Sequence, residues 1–137
     1  MSIVAWRGKF EKKYYRKRAS TAFACNSLVS EHSDDDTITP STSVTAASVG
    51  VCVKTVASTD SDYASNTRIP VMIPCDRSAE LLCDTGSDIA VTDEGELHDL
   101  TDAVTVDPTA SSVDLLKLKQ FVSARQGIYT LNKPSLV

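Results

Sequence analysis

Along residues 49–57 apolar and small or polar positions alternate. Val49, Val51 and Val53 fall on one side, with Gly50, Cys52 and Lys54 on the other. A period of two is the mark of a β-strand with one apolar face. The same period recurs in residues 68–75, where Ile69, Val71 and Ile73 alternate with Pro70, Met72 and Pro74. Two prolines remove two donors, so this strand is expected at a sheet edge. Shorter strands are predicted over 79–83, 88–92, 96–100 and 104–107, separated by turns at Gly86 and Gly95. Residues 113–122 alternate Leu116 and Leu118 with Lys117 and Lys119, which favours strand over helix. Residues 127–131 then form a hairpin with that strand across 123–126.

The first half of the chain is less regular. Residues 21–29 read as one strand or a broken pair, and 37–48 as a loop with one short strand. Residues 58–67 form a polar connection that holds Tyr63. Short strands at intervals of about 8–12 residues predict an all-β domain, a small β-barrel or a β-sandwich. A chain of 137 residues suits one such domain, here residues 21–137.

Residues 1–20 differ. Trp6, Phe10 and Tyr14 recur every fourth residue, which allows a short amphipathic helix as readily as an extended segment. Between residues 7 and 18 there are seven basic side chains against one acid. The rest carries seven basic against seventeen acidic residues and is ten units negative, so the overall charge is −4. The segment is therefore read as a basic aromatic arm on an acidic body. Its removal is expected to leave the body folded. Aromatics and Arg dominate protein interfaces, which makes Trp6, Arg7, Phe10, Tyr14, Tyr15, Arg16 and Arg18 the candidate partner-binding residues. A protein partner is favoured over nucleic acid because the acidic body repels phosphates.

Little points to catalysis or to a bound group. Cys25, Cys52, Cys75 and Cys83 include no C-x-x-C pair, and each adjoins apolar residues. They read as buried thiols packing as small hydrophobes rather than as disulfides or metal ligands. His32 and His98 lack ligand spacing and read as surface or turn residues. The run Asp34-Asp35-Asp36 lacks the alternating ligands, glycine and distal Glu of a calcium loop, and reads as a solvated loop. No cofactor, metal or membrane span is expected, and the N-terminus has too short an apolar stretch for a signal peptide.

One motif has catalytic form. Leu81-Leu82-Cys83-Asp84-Thr85-Gly86-Ser87 resembles the active-site loop of aspartic proteases. A single loop implies a retroviral-type homodimer in which each copy of Asp84 supplies half of a proton-sharing pair. The flap glycines and the apolar-apolar-glycine brace of that family are missing. The plainer reading is a tight turn with Asp84 capping it and Gly86 at positive φ.

A second resemblance covers about two thirds of the chain from Val49 onward. It rests on Gly50-Val51-Cys52-Val53, on Asp60-Ser61-Asp62-Tyr63 leading into Ile69-Pro70-Val71-Met72-Ile73-Pro74, and on Gly95-Glu96-Leu97-His98-Asp99-Leu100-Thr101-Asp102. A Val-Asp-Pro turn and a closing hairpin follow. In these features the chain resembles small structural proteins of tailed bacteriophages, head decoration (cement) proteins in particular. The resemblance implies a β-barrel or β-sandwich on the outer capsid shell, stabilising it across subunit boundaries, with no catalytic residues. The implied partners are the major capsid protein or other virion proteins, with self-association also open. The implied location is the virion, after synthesis in the host cytoplasm. A neck, tail or head-fibre role is the competing reading.

Overall fold

The computed structural model describes residues 1–32 and 35–132. The strands are β1 (Ile3–Arg7), β2 (Phe10–Arg16), β3 (Ser27–Glu31), β4 (Ile38–Pro40), β5 (Gly50–Cys52), β6 (Arg68–Pro74), β7 (Glu80–Asp84), β8 (Leu97–Asp102), β9 (Thr105–Asp107), β10 (Leu116–Ser123) and β11 (Gln126–Leu131). They form two antiparallel sheets, ordered β1-β7-β11-β10-β8-β9 and β2-β6-β5-β3-β4. Single parallel bridges, Thr85 to Val106 and Lys17 to Ile38, link strand ends within each sheet without closing it into a barrel. The chain is thus a β-sandwich, the second of the two architectures its pattern allows.

The packing follows from strand parity. On the first sheet Ile3, Leu81, Cys83, Leu116, Leu118 and Tyr129 share one face and are buried. They pack with Leu28 and Val51 of the second sheet in the main core, and Met72 and Phe10 are set against its margin. The second sheet also buries its other face. Val29, Cys52, Ile69 and Val71 meet Phe23, Val49 and Val56 there, with Tyr15 and Tyr63 at the margin. A sheet buried on both faces explains why β5 and β6 read as nearly continuous apolar runs.

The strands β2–β6 build the second sheet and β7–β11 the first, with one exception. β1 opens the chain but lies on the edge of the first sheet, beside β7. Residues 1–20 are therefore no appendage. Gly8, at φ +91°, turns the chain from one sheet to the other, and a Cβ there would lie 2.7 Å from the Ala79 Cα. The segment is extended rather than helical: β1 pairs with β7 and β2 with β6, and the turn at Gly8 breaks the four-residue aromatic spacing between them. Removing residues 1–18 would strip an edge strand from each sheet and empty the buried positions of Ile3 and Lys17, which argues against a folded truncated body.

Further departures have local causes. β6 is central, between β2 and β5, although it carries two prolines. Its residues pair with β2 in an unbroken register in which Pro70 and Pro74 face Tyr14 and Phe10. Lys17 N–H donates to Thr67 O and Cys75 N–H to Lys9 O, both at 2.9 Å, so the odd residues of β2 hold the ladder. The missing proline donors therefore point toward β5, a strand of only three residues, where Pro70 O still accepts from Val53 N–H. Residues 88–92 form no strand. A 3-10 turn, Val91–Asp93, stands there, and Asp93 Oδ2 accepts from Ala90 N–H at 2.8 Å. Gly86 has no positive φ, whereas Gly95 does.

Candidate partner surface

The seven candidate residues divide by the side of the strand each occupies. Phe10 is half-buried against the main core, and Tyr15 against the second. Both are packing residues. Burial, then Glu11 and Glu31, pushes the Tyr15 hydroxyl above its usual pKa. Trp6 and Tyr14 are 51% and 56% exposed, and Arg7, Arg16 and Arg18 also lie at the surface. Trp6 sits where the β1–β7 register shifts between Ala5 and Arg7, and a bulge of this kind re-aims the side chains around it. Arg7 Nε pairs with Glu80 Oε1 at 2.9 Å, and its Nη2 donates to Gln120 Oε1 at 3.4 Å. On β2, Lys12, Tyr14 and Arg16 form one exposed row, with Lys13 and Glu11 on the reverse face. The basic segment is thus a rigid sheet edge rather than a free arm.

Lys17 breaks the pattern. It is fully buried, and its Nζ donates to Tyr63 O at 2.9 Å and Ser65 O at 2.6 Å. Asn66 Nδ2 donates back to Lys17 O at 3.0 Å. A buried ammonium needs such partners. Here it pins the polar 58–67 connection onto the second sheet. The residue counted as part of a basic arm is a structural tie, and its alternation with Tyr15 and Lys13 is the only sequence signal of that.

Two other buried polar groups were invisible in the sequence. His98, expected at the surface, shares the inner face of β8 with Leu100. Its Nδ1 lies 2.7 Å from the Tyr129 hydroxyl and its Nε2 3.2 Å from Glu96 Oε1. Burial holds the Tyr129 hydroxyl well above its usual pKa. Asp99 is 3% exposed and accepts the backbone N–H groups of Ser112, Val113 and Asp114 at 2.8, 3.1 and 2.9 Å. Asp114 at φ +55° completes this concave set of donors, which fastens the β9–β10 loop.

Asp84 ends β7 between the chain start and the last hairpin. Its Oδ2 accepts from Ser2 N–H at 2.9 Å and its Oδ1 from Gln126 Nε2 at 3.3 Å. Thr85 Oγ1 donates to Ser87 O at 2.8 Å. The cysteine reading holds for half the set: Cys52 and Cys83 are buried, whereas Cys25 and Cys75 are exposed. Burial raises the Cys83 thiol well above its usual range and the Cys52 thiol less. His32 Nδ1 lies 3.4 Å from Asp35 Oδ1. Ser33 and Asp34, in the predicted acidic loop, lie outside the described residues. Among the described residues no group of three or more His, Cys, Asp or Glu is placed to hold a metal ion, and no helix is long and apolar enough to cross a membrane.

The architecture defines the class, an all-β sandwich with a basic edge. No protein-family model matches the chain, and no curated protein is significantly similar to it.

Proposed function

We propose that the chain is a non-enzymatic structural protein that attaches to other proteins, within a virion and as a decoration of the capsid. The observation that carries the attachment reading is the β1–β2 edge. It presents Trp6, Tyr14, Arg7, Lys12 and Arg16 on strands held in two sheets. Rigid aromatic and arginine anchors lose little freedom on binding, which suits a surface that must dock. The acidic remainder keeps unassembled copies apart by mutual repulsion. Engagement of two capsid subunits by one copy would then hold a lattice through several weak contacts. The virion setting rests on the sequence resemblance alone. The non-enzymatic part draws support from Asp84, whose two carboxylate oxygens each accept a hydrogen bond from the same chain.

The test is the copy number of the chain in particles purified from its source. A number matching the capsid lattice is expected. A much smaller number would move the chain to the neck, tail or head fibres. Absence from particles would overturn the virion setting and make loss of proteolysis in Asp84→Asn the next question.

A further inference from the structure

The odd residues of β2 spend their backbone groups on β6. The even residues Phe10, Lys12, Tyr14 and Arg16 therefore turn their N–H and C=O groups away from the sheet. β2 is the outermost strand of its sheet, and among the described residues its outward row from Phe10 to Tyr14 faces no other strand. Beyond Arg16 the chain meets β4, where Lys17 bridges Ile38 and Arg18 N–H donates to Ile38 O at 3.0 Å, so the open stretch ends there. Arg68 Nη1 reaches across to Tyr14 O at 3.4 Å, a long contact that an incoming donor can displace. Such an edge is a template for one more strand.

The charge on the edge selects the strand. Two copies joined edge to edge through β2 would set Lys12, Lys13 and Arg16 against the same residues, and like charges facing each other across strands are destabilising. On the exposed face, Lys12 and Arg16 flank Tyr14 at two-residue spacing. A complementary strand places acids opposite Lys12 and Arg16, and an apolar side chain opposite Tyr14.

We infer that β2 binds an extended acidic segment of a partner protein by strand addition, reading a pattern of acid, any residue, apolar, any residue, acid. This names the partner chemistry of the attachment surface proposed above and rests on that reading. The main-chain bonds supply pairing, and the two charge pairs with the Tyr14 contact supply selection. Trp6 belongs to the other sheet and is not part of this register.

The test is an NMR titration of the full chain with the capped peptide Thr-Glu-Thr-Val-Thr-Glu-Thr. Binding is expected to slow hydrogen exchange at the Lys12 and Tyr14 amides and to weaken with salt. Lys12→Thr and Lys12→Pro lose the same charge, but only the proline also loses the outward N–H. Proline is tolerated on an edge strand where its missing N–H faces solvent. Lys12→Pro is expected to bind roughly tenfold more weakly than Lys12→Thr. Equal binding by the two variants, or binding without amide protection, would overturn strand addition. The exchange measurement on the unaltered chain decides the matter even if Lys12→Pro does not fold. An oligonucleotide that displaces the peptide without protecting these amides would also overturn it. Particles that carry the chain, combined with a peptide that leaves the edge unprotected, would sink this inference and leave the attachment reading intact. Edge protection in a chain absent from particles would overturn the virion setting and leave strand addition standing.

Discussion

Lys17 shows how one side chain can change meaning between sequence and structure. In a row of lysines and arginines it looks like surface charge, yet its ammonium is enclosed and satisfied by Tyr63 O and Ser65 O. Lys17→Met keeps most of the volume but leaves two carbonyls without their donor. A loss of about 2–3 kcal/mol is expected in chemical denaturation. Lys13→Met, four residues earlier and exposed, should stay within about 0.5 kcal/mol of the unaltered chain. Equal effects would mean that the ammonium cage does not hold. Asp99→Asn replaces one acceptor oxygen with a donor facing backbone N–H groups, and about 1–3 kcal/mol should be lost there too.

The buried thiols and Tyr129 set a pH response at this same scale. Burial raises the folded-state pKa of Cys83, Cys52 and Tyr129 above their ordinary values of 9.0 and 10.0. Above pH 9 the unfolded chain releases these protons first, while the folded chain retains them. The unfolded state then binds fewer protons, so stability falls as pH rises from there toward the folded-state values. Thermal unfolding should shift to lower temperature as pH rises past about 9, and Cys83→Ala should lessen the shift. A midpoint that stays level through that range would contradict the buried placement of these groups.

At the scale of elements, the β1–β2 crossing carries the most weight. It joins the start of the chain to both sheets through Gly8. An Ala at Gly8 must adopt a left-handed backbone, and its Cβ would lie 2.7 Å from Ala79 Cα and 2.9 Å from Ser78 O. Gly8→Ala should cost about 1–3 kcal/mol. Deletion of residues 1–18 should yield a chain without dispersed amide resonances, because Ile3 and Lys17 leave buried positions and new edges open on β6 and β7. A well-dispersed spectrum from the truncated chain would restore the arm.

Most strands were legible at this scale because period two survives wherever one face is buried, as in β7 and β10. The failures have physical reasons. A four-residue aromatic spacing fits a helix, but in β1 and β2 a turn at Gly8 resets the phase, so Trp6 and Phe10 belong to different sheets. Prolines in β6 suggest an edge until the ladder parity is known. Asp88 and Asp93 in the 88–93 stretch favour turn and cap geometry over a strand. His98 and Asp99 gave no signal because their partners, Tyr129 and the 112–114 backbone, are remote in sequence.

For the whole molecule, the sequence yielded an all-β class but not the choice of sandwich over barrel, since closure depends on how the outermost strands meet. Of the candidate residues, Phe10 and Tyr15 proved to be packing residues. Trp6, Arg7, Tyr14, Arg16 and Arg18 remain on the surface. An amphipathic strand puts half of its conspicuous aromatics inside, and spacing alone does not reveal which half until the register is fixed. The molecule that results is an acidic sandwich with one basic edge, a charge asymmetry that would steer the acidic partner proposed above.

The most direct measurement is the occupancy of the double variant Trp6→Ser, Tyr14→Ser on particles stripped of the chain, against the unaltered chain. Both side chains are more than half exposed, so stability should change little. The attachment account predicts a clear loss of occupancy with unchanged unfolding. Equal occupancy of the two chains would contradict it.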